Sequence, residues 1–199
     1  MARSGLSYLR DDLRQLTDAG LSDWTVGAVS YFNSDMLDTI LDKHAEPFSF
    51  ELMDSLKPDM ASSGAYSWTR YQINGAENIE QTTGGTAIFI IQDQSGAVIP
   101  SSSYSVNYRT GLVTFTADTQ GAPYYATGWS YDINGAAADI WRMKANHAAN
   151  SFDFTTDNHS IKRSQVYQQY MKQADFYQAK SWKGGAGKGA MVREDTDAC

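Results

Sequence analysis

The stretch DINGAAADIWRMKANHAANSFDFTTDNHSIKRSQVYQQYMKQADFY, residues 132–177, decides the fold. In its first part Ala137, Ile140, Trp141, Lys144 by its stem, Ala145 and Ala148 recur at intervals of three and four, the period of a helix. Asn134 can cap that helix over 132–149 by accepting orphan N–H groups of its first turn. A second helix is predicted over 160–180, with Ser160 as its cap and Val166, Tyr167, Tyr170, Met171, Ala174 and Tyr177 as one stripe. About ten residues of link suffice for an antiparallel pair, and the small alanines of one helix let the aromatic rings of the other come close. The predicted core is therefore Ala137, Ile140, Trp141, Ala145, Val166, Tyr170, Met171, Ala174 and Tyr177.

Outward from that pair, the N-terminal residues are also helical. Over 4–17, Leu6, Leu9, Leu13 and Leu16 form the apolar stripe, with Arg10, Asp11, Asp12 and Arg14 expected to face water and Gly20 placed to stop the helix. The segment LSDWTVGAVSYF that follows has no clear period. Asn33 or Ser34 then caps a second short helix that buries Met36, Leu37, Ile40 and Leu41, with Pro47 beyond its end.

After Pro47 the pattern changes. Phe48, Phe50 and Leu52 alternate with Ser49 and Glu51, and runs at 66–73, 86–92, 104–108, 112–117 and 124–131 are rich in aromatic and β-branched residues. Glycine-, serine- and asparagine-rich breaks separate them, which is antiparallel β chemistry. The best-specified hairpin is YSVNYRTGLVTFTAD, where Gly111 supplies the positive φ of the turn. The expected architecture is α+β: a helical bundle formed by the N-terminal (1–47) and C-terminal (132–180) segments, an inserted antiparallel β domain (48–131) as a meander or small sandwich, and an extended tail (181–199).

That tail, KSWKGGAGKGAMVREDTDAC, has no periodic face. Gly184, Gly185, Gly187 and Gly189 make autonomous folding too costly in backbone entropy, so Trp182, Met191 and Val192 are expected to order only against a partner. GGAGKGA has neither the leading glycine nor the Ser or Thr of a phosphate loop.

A formal charge of −7 argues against gripping nucleic acid by neutralising phosphates, although an acidic surface is compatible with DNA passing close by. Cys199 is the sole cysteine, so no internal disulfide is expected, and the sequence holds neither a bilayer-spanning apolar run nor the pattern of a signal peptide. Among His44, His147 and His159 no metal spacing occurs. Asp153, Asp157 and His159 could supply a divalent-ion site, against the plainer reading of turn and cap chemistry. No nucleophile sits in a strained-turn motif, so neither catalysis nor a cofactor is expected. The strand aromatics Trp68, Tyr71, Tyr104, Tyr108, Tyr124, Tyr125 and Trp129 could either stack on sugars or fill a β core.

The element DTILDKH (38–44), the run TGWSYDINGAAADIW (127–141) and WRMKANHAANSFDFTTDNHSIKRSQ (141–165), followed by an aromatic helix and a loose tail, resemble the head-to-tail connector, or adaptor, proteins of long-tailed bacteriophages. The resemblance covers roughly 1–45 and 130–180. It implies a structural protein of the virion neck, folded and assembled in the host cytoplasm, in a ring usually of twelve copies beneath the portal. Double-stranded DNA passes through such a ring without sequence-specific binding. The C-terminal segment, here Trp182, Lys183, Gly184, Gly185, Gly187, Lys188, Met191, Val192 and Arg193, would dock on the portal protein, and the lower side would receive the stopper or tail-completion protein. Minimal members are almost wholly helical, so the β insertion departs from them.

Overall fold

Leu6, Leu9 and Leu13 are fully buried, and their spacing shapes the first element, a 3-10 turn (Ser4–Leu6) continuing into α1 (Ser7–Thr17). The computed structural model describes residues 2–19, 25–26, 29–30, 32–60, 64, 66–82, 88–149, 154–156, 159–161 and 163–182. Short strands β1 (Thr25–Val26) and β2 (Val29–Ser30) pair within the segment that showed no period. Helix α2 (Ser34–Lys43) starts at Asn33, whose side chain accepts from the Met36 N–H at 2.9 Å, and buries Leu37, Ile40 and Leu41.

The β part contains β3 (Ala45–Ser55), β4 (Asp59–Met60), β5 (Tyr66–Ser67), β6 (Arg70–Ile73), β7 (Ile90–Asp93), β8 (Tyr104–Asn107), β9 (Leu112–Phe115) and β10 (Tyr124–Tyr131). Six of these form one antiparallel sheet in the order β7-β10-β3-β6-β9-β8, while β4 and β5 pair separately. That order is not a meander, and a single curled sheet takes the place of a two-layered sandwich. The curl brings its edges together, since Phe89 before β7 meets Tyr108 after β8 edge to face at 5.7 Å. Met53, Tyr71, Ile73, Ile91, Val113, Phe115 and Ala126 fill the space inside. At the β8–β9 hairpin Gly111 has φ +70°, and a Cβ there would overlap the Ala76 carbonyl oxygen.

Two central strands join this sheet to the helices. Strand β3 follows α2 after His44 alone, β10 runs through Asp132 into α3 (Ile133–Ala149), and Ala45 pairs with Tyr131. After α3 come β11 (Phe154–Thr156), β12 (His159–Ile161) and α4 (Arg163–Lys180). Helices α3 and α4 lie antiparallel, with Asp132 beside Ser181 at one end and Trp141 5.4 Å from Tyr170 further along. A second core holds Leu6, Leu9, Leu13, Phe32, Leu37, Leu41, Tyr131, Ala137 and Ile140, drawn from both ends of the chain.

Several sequence expectations are corrected. Asp132 caps α3, its Oδ1 accepting from the Gly135 N–H at 2.9 Å, so Asn134 is already one residue inside the helix. Ser160 pairs with Thr155 in the β11–β12 hairpin and does not cap α4. Helix α1 ends on Asp18 in the left-handed region (φ 49°), before Gly20, which lies outside the described residues. Arg10 does not face water; its guanidinium lies 2.8 Å from Asp38 in a largely buried ion pair. Among the described side chains of α4 only Ala174 is fully buried, while Val166, Tyr170, Met171 and Tyr177 are half-buried, as is Trp141 on α3. Among the described elements, the main packing of α4 is on α3. Ala137, Ile140 and Ala145 are buried as expected.

Candidate partner-binding surface

Of the proposed docking segment, only Trp182 is among the described residues; Lys183, Gly184, Gly185, Gly187, Lys188, Met191, Val192 and Arg193 lie outside them. The point from which that segment departs is firmly held. Ser181 is buried, its N–H donates to Tyr177 O at 3.0 Å, and its hydroxyl donates to Asp132 Oδ2, so the cap of α3 also ties down the end of α4. One residue on, Trp182 is 38% exposed and lines a groove of about 680 Å³ together with Glu46, Phe48, Glu51 and Gly75.

The strand aromatics divide between two faces. Tyr71 is buried, and Tyr104, Tyr108 and Tyr124 pack against the sheet's interior. Trp68 is half-buried near Gly121. Tyr125 and Trp129 lie on the other face of β10. A β-bulge in β3 sets this division, because Ser49 and Phe50 together oppose Thr127. The bulge reverses the alternation predicted for Phe48, Phe50 and Leu52. Phe48 turns inward against Phe89, over Gly128, where a Cβ would come within 2.9 Å of its ring. Phe50 and Leu52 turn outward; Phe50 stacks on Tyr125 at 4.1 Å with 5° between the rings, and Leu52 is paired opposite Tyr125. The Phe50 N–H, displaced from the ladder, donates to Thr127 Oγ1 at 2.9 Å.

The metal hypothesis falls largely outside the described residues. Asp153 and Asp157 are not among them, and His159 is in β12. Among the described residues no group of three His, Cys, Asp or Glu side chains is arranged to hold a metal ion, and no helix is long and apolar enough to cross a membrane. His44 is engaged with Asp139, 2.9 Å from its Nε2, and Asp139 also accepts from Arg142 at 3.2 Å.

A buried polar junction between helices and sheet was not foreseen. Glu80 Oε2 accepts from the Tyr131 hydroxyl at 2.6 Å and from Arg3 at 3.3 Å, and the Arg3 N–H donates to Asp38 at 2.7 Å. Tyr8 donates to Ile79 O at 2.6 Å. Burial pushes the phenol pKa values of Tyr8 and Tyr131 well above their ordinary range, and the bond to Glu80 raises that of Tyr131 further. Isolated charges in otherwise ordinary segments give no periodic signal, so sequence offered no means of pairing Arg3 with Glu80. Phe50 was visible as a strand aromatic, but its direction depends on the bulge.

Compared with protein-family models the chain matches none, and a search of curated proteins finds no relative.

Proposed function

We propose that the chain is a structural protein of the phage neck: a head-to-tail adaptor that forms a ring under the portal, lets double-stranded DNA pass, and joins the capsid to the stopper or tail. The observation that carries this reading is the anchored exit of the C-terminal segment. A glycine-rich stretch beginning at Lys183 is tethered at Ser181, whose hydrogen bond to Asp132 fixes its root on the sheet–helix junction. A segment of low folding propensity on a rigid root suits coupled folding on a partner, where a large contact surface offsets the ordering entropy. The antiparallel α3–α4 pair supplies the scaffold. The formal charge of −7 favours DNA sliding without adhesion, because like charges repel within a Debye length of about 8–10 Å.

The test is deletion of the chain from Lys183 onward. The truncated protein is expected to keep its circular dichroism spectrum and melting temperature, and to fail to join portal-bearing capsids to tails. Normal joining by the folded, truncated chain would refute the docking role.

A further inference from the structure

We infer that the start of the C-terminal tail, residues 183–188, lies along the open edge of β3 in the same chain, as a strap that holds the tail on its own sheet until a partner displaces it. The first observation is an uncovered sheet edge. Strand β3 runs beside β10 from Ala45 to Leu52, but on its other side β6 pairs only with Met53, Asp54 and Ser55. Among the described residues no strand or bridge covers residues 46–52 on that side. Trp129 O accepts from the Glu80 N–H on the far side of β10, so the backbone groups of the Pro47–Trp129 pair face away from each other, and Pro47 O points to the open edge. Proline suits that position, since it has no N–H to offer a neighbouring strand. An open edge is a template for an added extended segment.

The occupant follows from where the chain leaves the fold and from charge. Ser181 is bonded to Asp132, whose N–H donates to His44 O, so the chain departs beside the first residue of β3. The next residue, Trp182, lines the groove at this edge together with Glu46, Phe48, Glu51 and Gly75. Because of the bulge, Glu46, Phe48 and Glu51 share one face of β3, opposite Ser130, Gly128 and Ala126. Glu46 and Glu51 are exposed, and among the described residues neither is in an ion pair and no Lys or Arg lines the groove. Residues 183–193 have the complementary charge, carrying Lys183, Lys188 and Arg193 and no carboxylate. Lys183 and Lys188 stand five residues apart, as do Glu46 and Glu51, so an extended segment running parallel to β3 from Trp182 sets the two lysines against the two glutamates. Gly184, Gly185 and Gly187 between them have no side chain to hold the backbone off the edge. The tether makes the contact intramolecular, with an effective concentration on the order of millimolar, so weak pairing suffices. The inference rests on the adaptor reading only for the portal as the competitor that frees the tail; the strap belongs to the free chain and is measured without a capsid.

The experiment is hydrogen exchange, read by mass spectrometry, on the full-length chain. Amides of residues 184–188 are expected to exchange at least about fivefold more slowly than in a free peptide of residues 183–199, at a rate independent of protein concentration. Glu46→Lys with Glu51→Lys, and Lys183→Glu with Lys188→Glu, should each bring exchange to the rate of the matching peptide while leaving the melting temperature unchanged. Combining all four substitutions should restore the protection. Wild-type amides that exchange at the peptide's rate, double variants that stay protected, or a fourfold variant that regains nothing would each overturn the inference. Protection that grows with protein concentration would also overturn it, and would assign the groove to the tail of a second copy. The adaptor reading is judged separately, by capsid joining, which these measurements do not touch.

Discussion

At the scale of single residues, burial separates side chains that periodicity treats alike. Ile140 and Trp141 are neighbours on α3 and both fit its apolar pattern, yet Ile140 is fully buried while Trp141 keeps one edge in solvent. Trp141 donates its indole N–H to Leu16 O at 3.3 Å and packs its ring on Tyr170. Ile140→Ala is therefore expected to cost about 3–4 kcal/mol, and Trp141→Ala roughly 2 kcal/mol, in urea unfolding. Equal losses would mean that the α4 side of α3 is as well packed as the α1 side. Tyr131 gives a second test. Its pKa is raised in the fold, so the neutral phenol is the form the native state favours. Stability from this source is complete below the ordinary tyrosine pKa of about 10 and falls as pH rises above it. Unfolding free energy should decline with pH from about 10 upward, less steeply in Tyr131→Phe than in wild type. Parallel slopes would remove Tyr131 from the effect and leave it to Tyr8.

At the scale of elements, helix caps show where local sequence is informative and where it is not. The cap of α2 was readable to within one residue, as Asn33 or Ser34, and the structure uses Asn33. Asp132 and Asn134 stand two residues apart, and both have side chains suited to capping α3. Strand β10 settles between them: its pairing with β3 continues through Tyr131, and the Asp132 N–H donates to His44 O at 3.0 Å, so the chain turns at Asp132. Asp132→Ala should cost at least 1–2 kcal/mol, since it removes the cap and also the acceptor for Ser181, whereas Asn134→Ala should be within about 0.5 kcal/mol of wild type. Thermal melts of the two variants decide the assignment, and the reverse order would place the cap at Asn134. The same principle explains Ser160. Its sequence context suits a cap, but the β11–β12 pairing is made between two segments of three residues each, too short to show an alternating pattern. The bulge at Phe50 is of this kind too, because its register is set by β10, more than seventy residues downstream.

At the scale of the whole molecule, the α+β class and the approximate positions of the strands of the six-stranded sheet were legible because turn residues and alternation are local, whereas the short pairs β1–β2, β4–β5 and β11–β12 and the strand order β7-β10-β3-β6-β9-β8 were not. That order has a thermodynamic consequence. The inserted β segment enters and leaves through β3 and β10, which are paired with each other and continue directly into α2 and α3. The Glu80–Tyr131 contact is buried at the same junction, part-exposed Arg3 reaches Glu80 there, and Tyr8 of α1 reaches across to Ile79. Parting sheet from helices would expose Glu80 and Tyr131 and break the hydrogen bonds of Arg3 to Glu80 and of Tyr8 to Ile79, so neither half should unfold alone. Two tryptophans report on the halves separately: Trp68 lies in the β part and Trp141 on α3. Replacing all tryptophans but one by phenylalanine, the Trp68-only and Trp141-only chains should each show one urea transition that coincides with the loss of their own far-ultraviolet circular dichroism. If Trp68 fluorescence changed at a lower urea concentration than the helical signal of the same chain, the sheet would be an independent domain and the junction would contribute little to its stability.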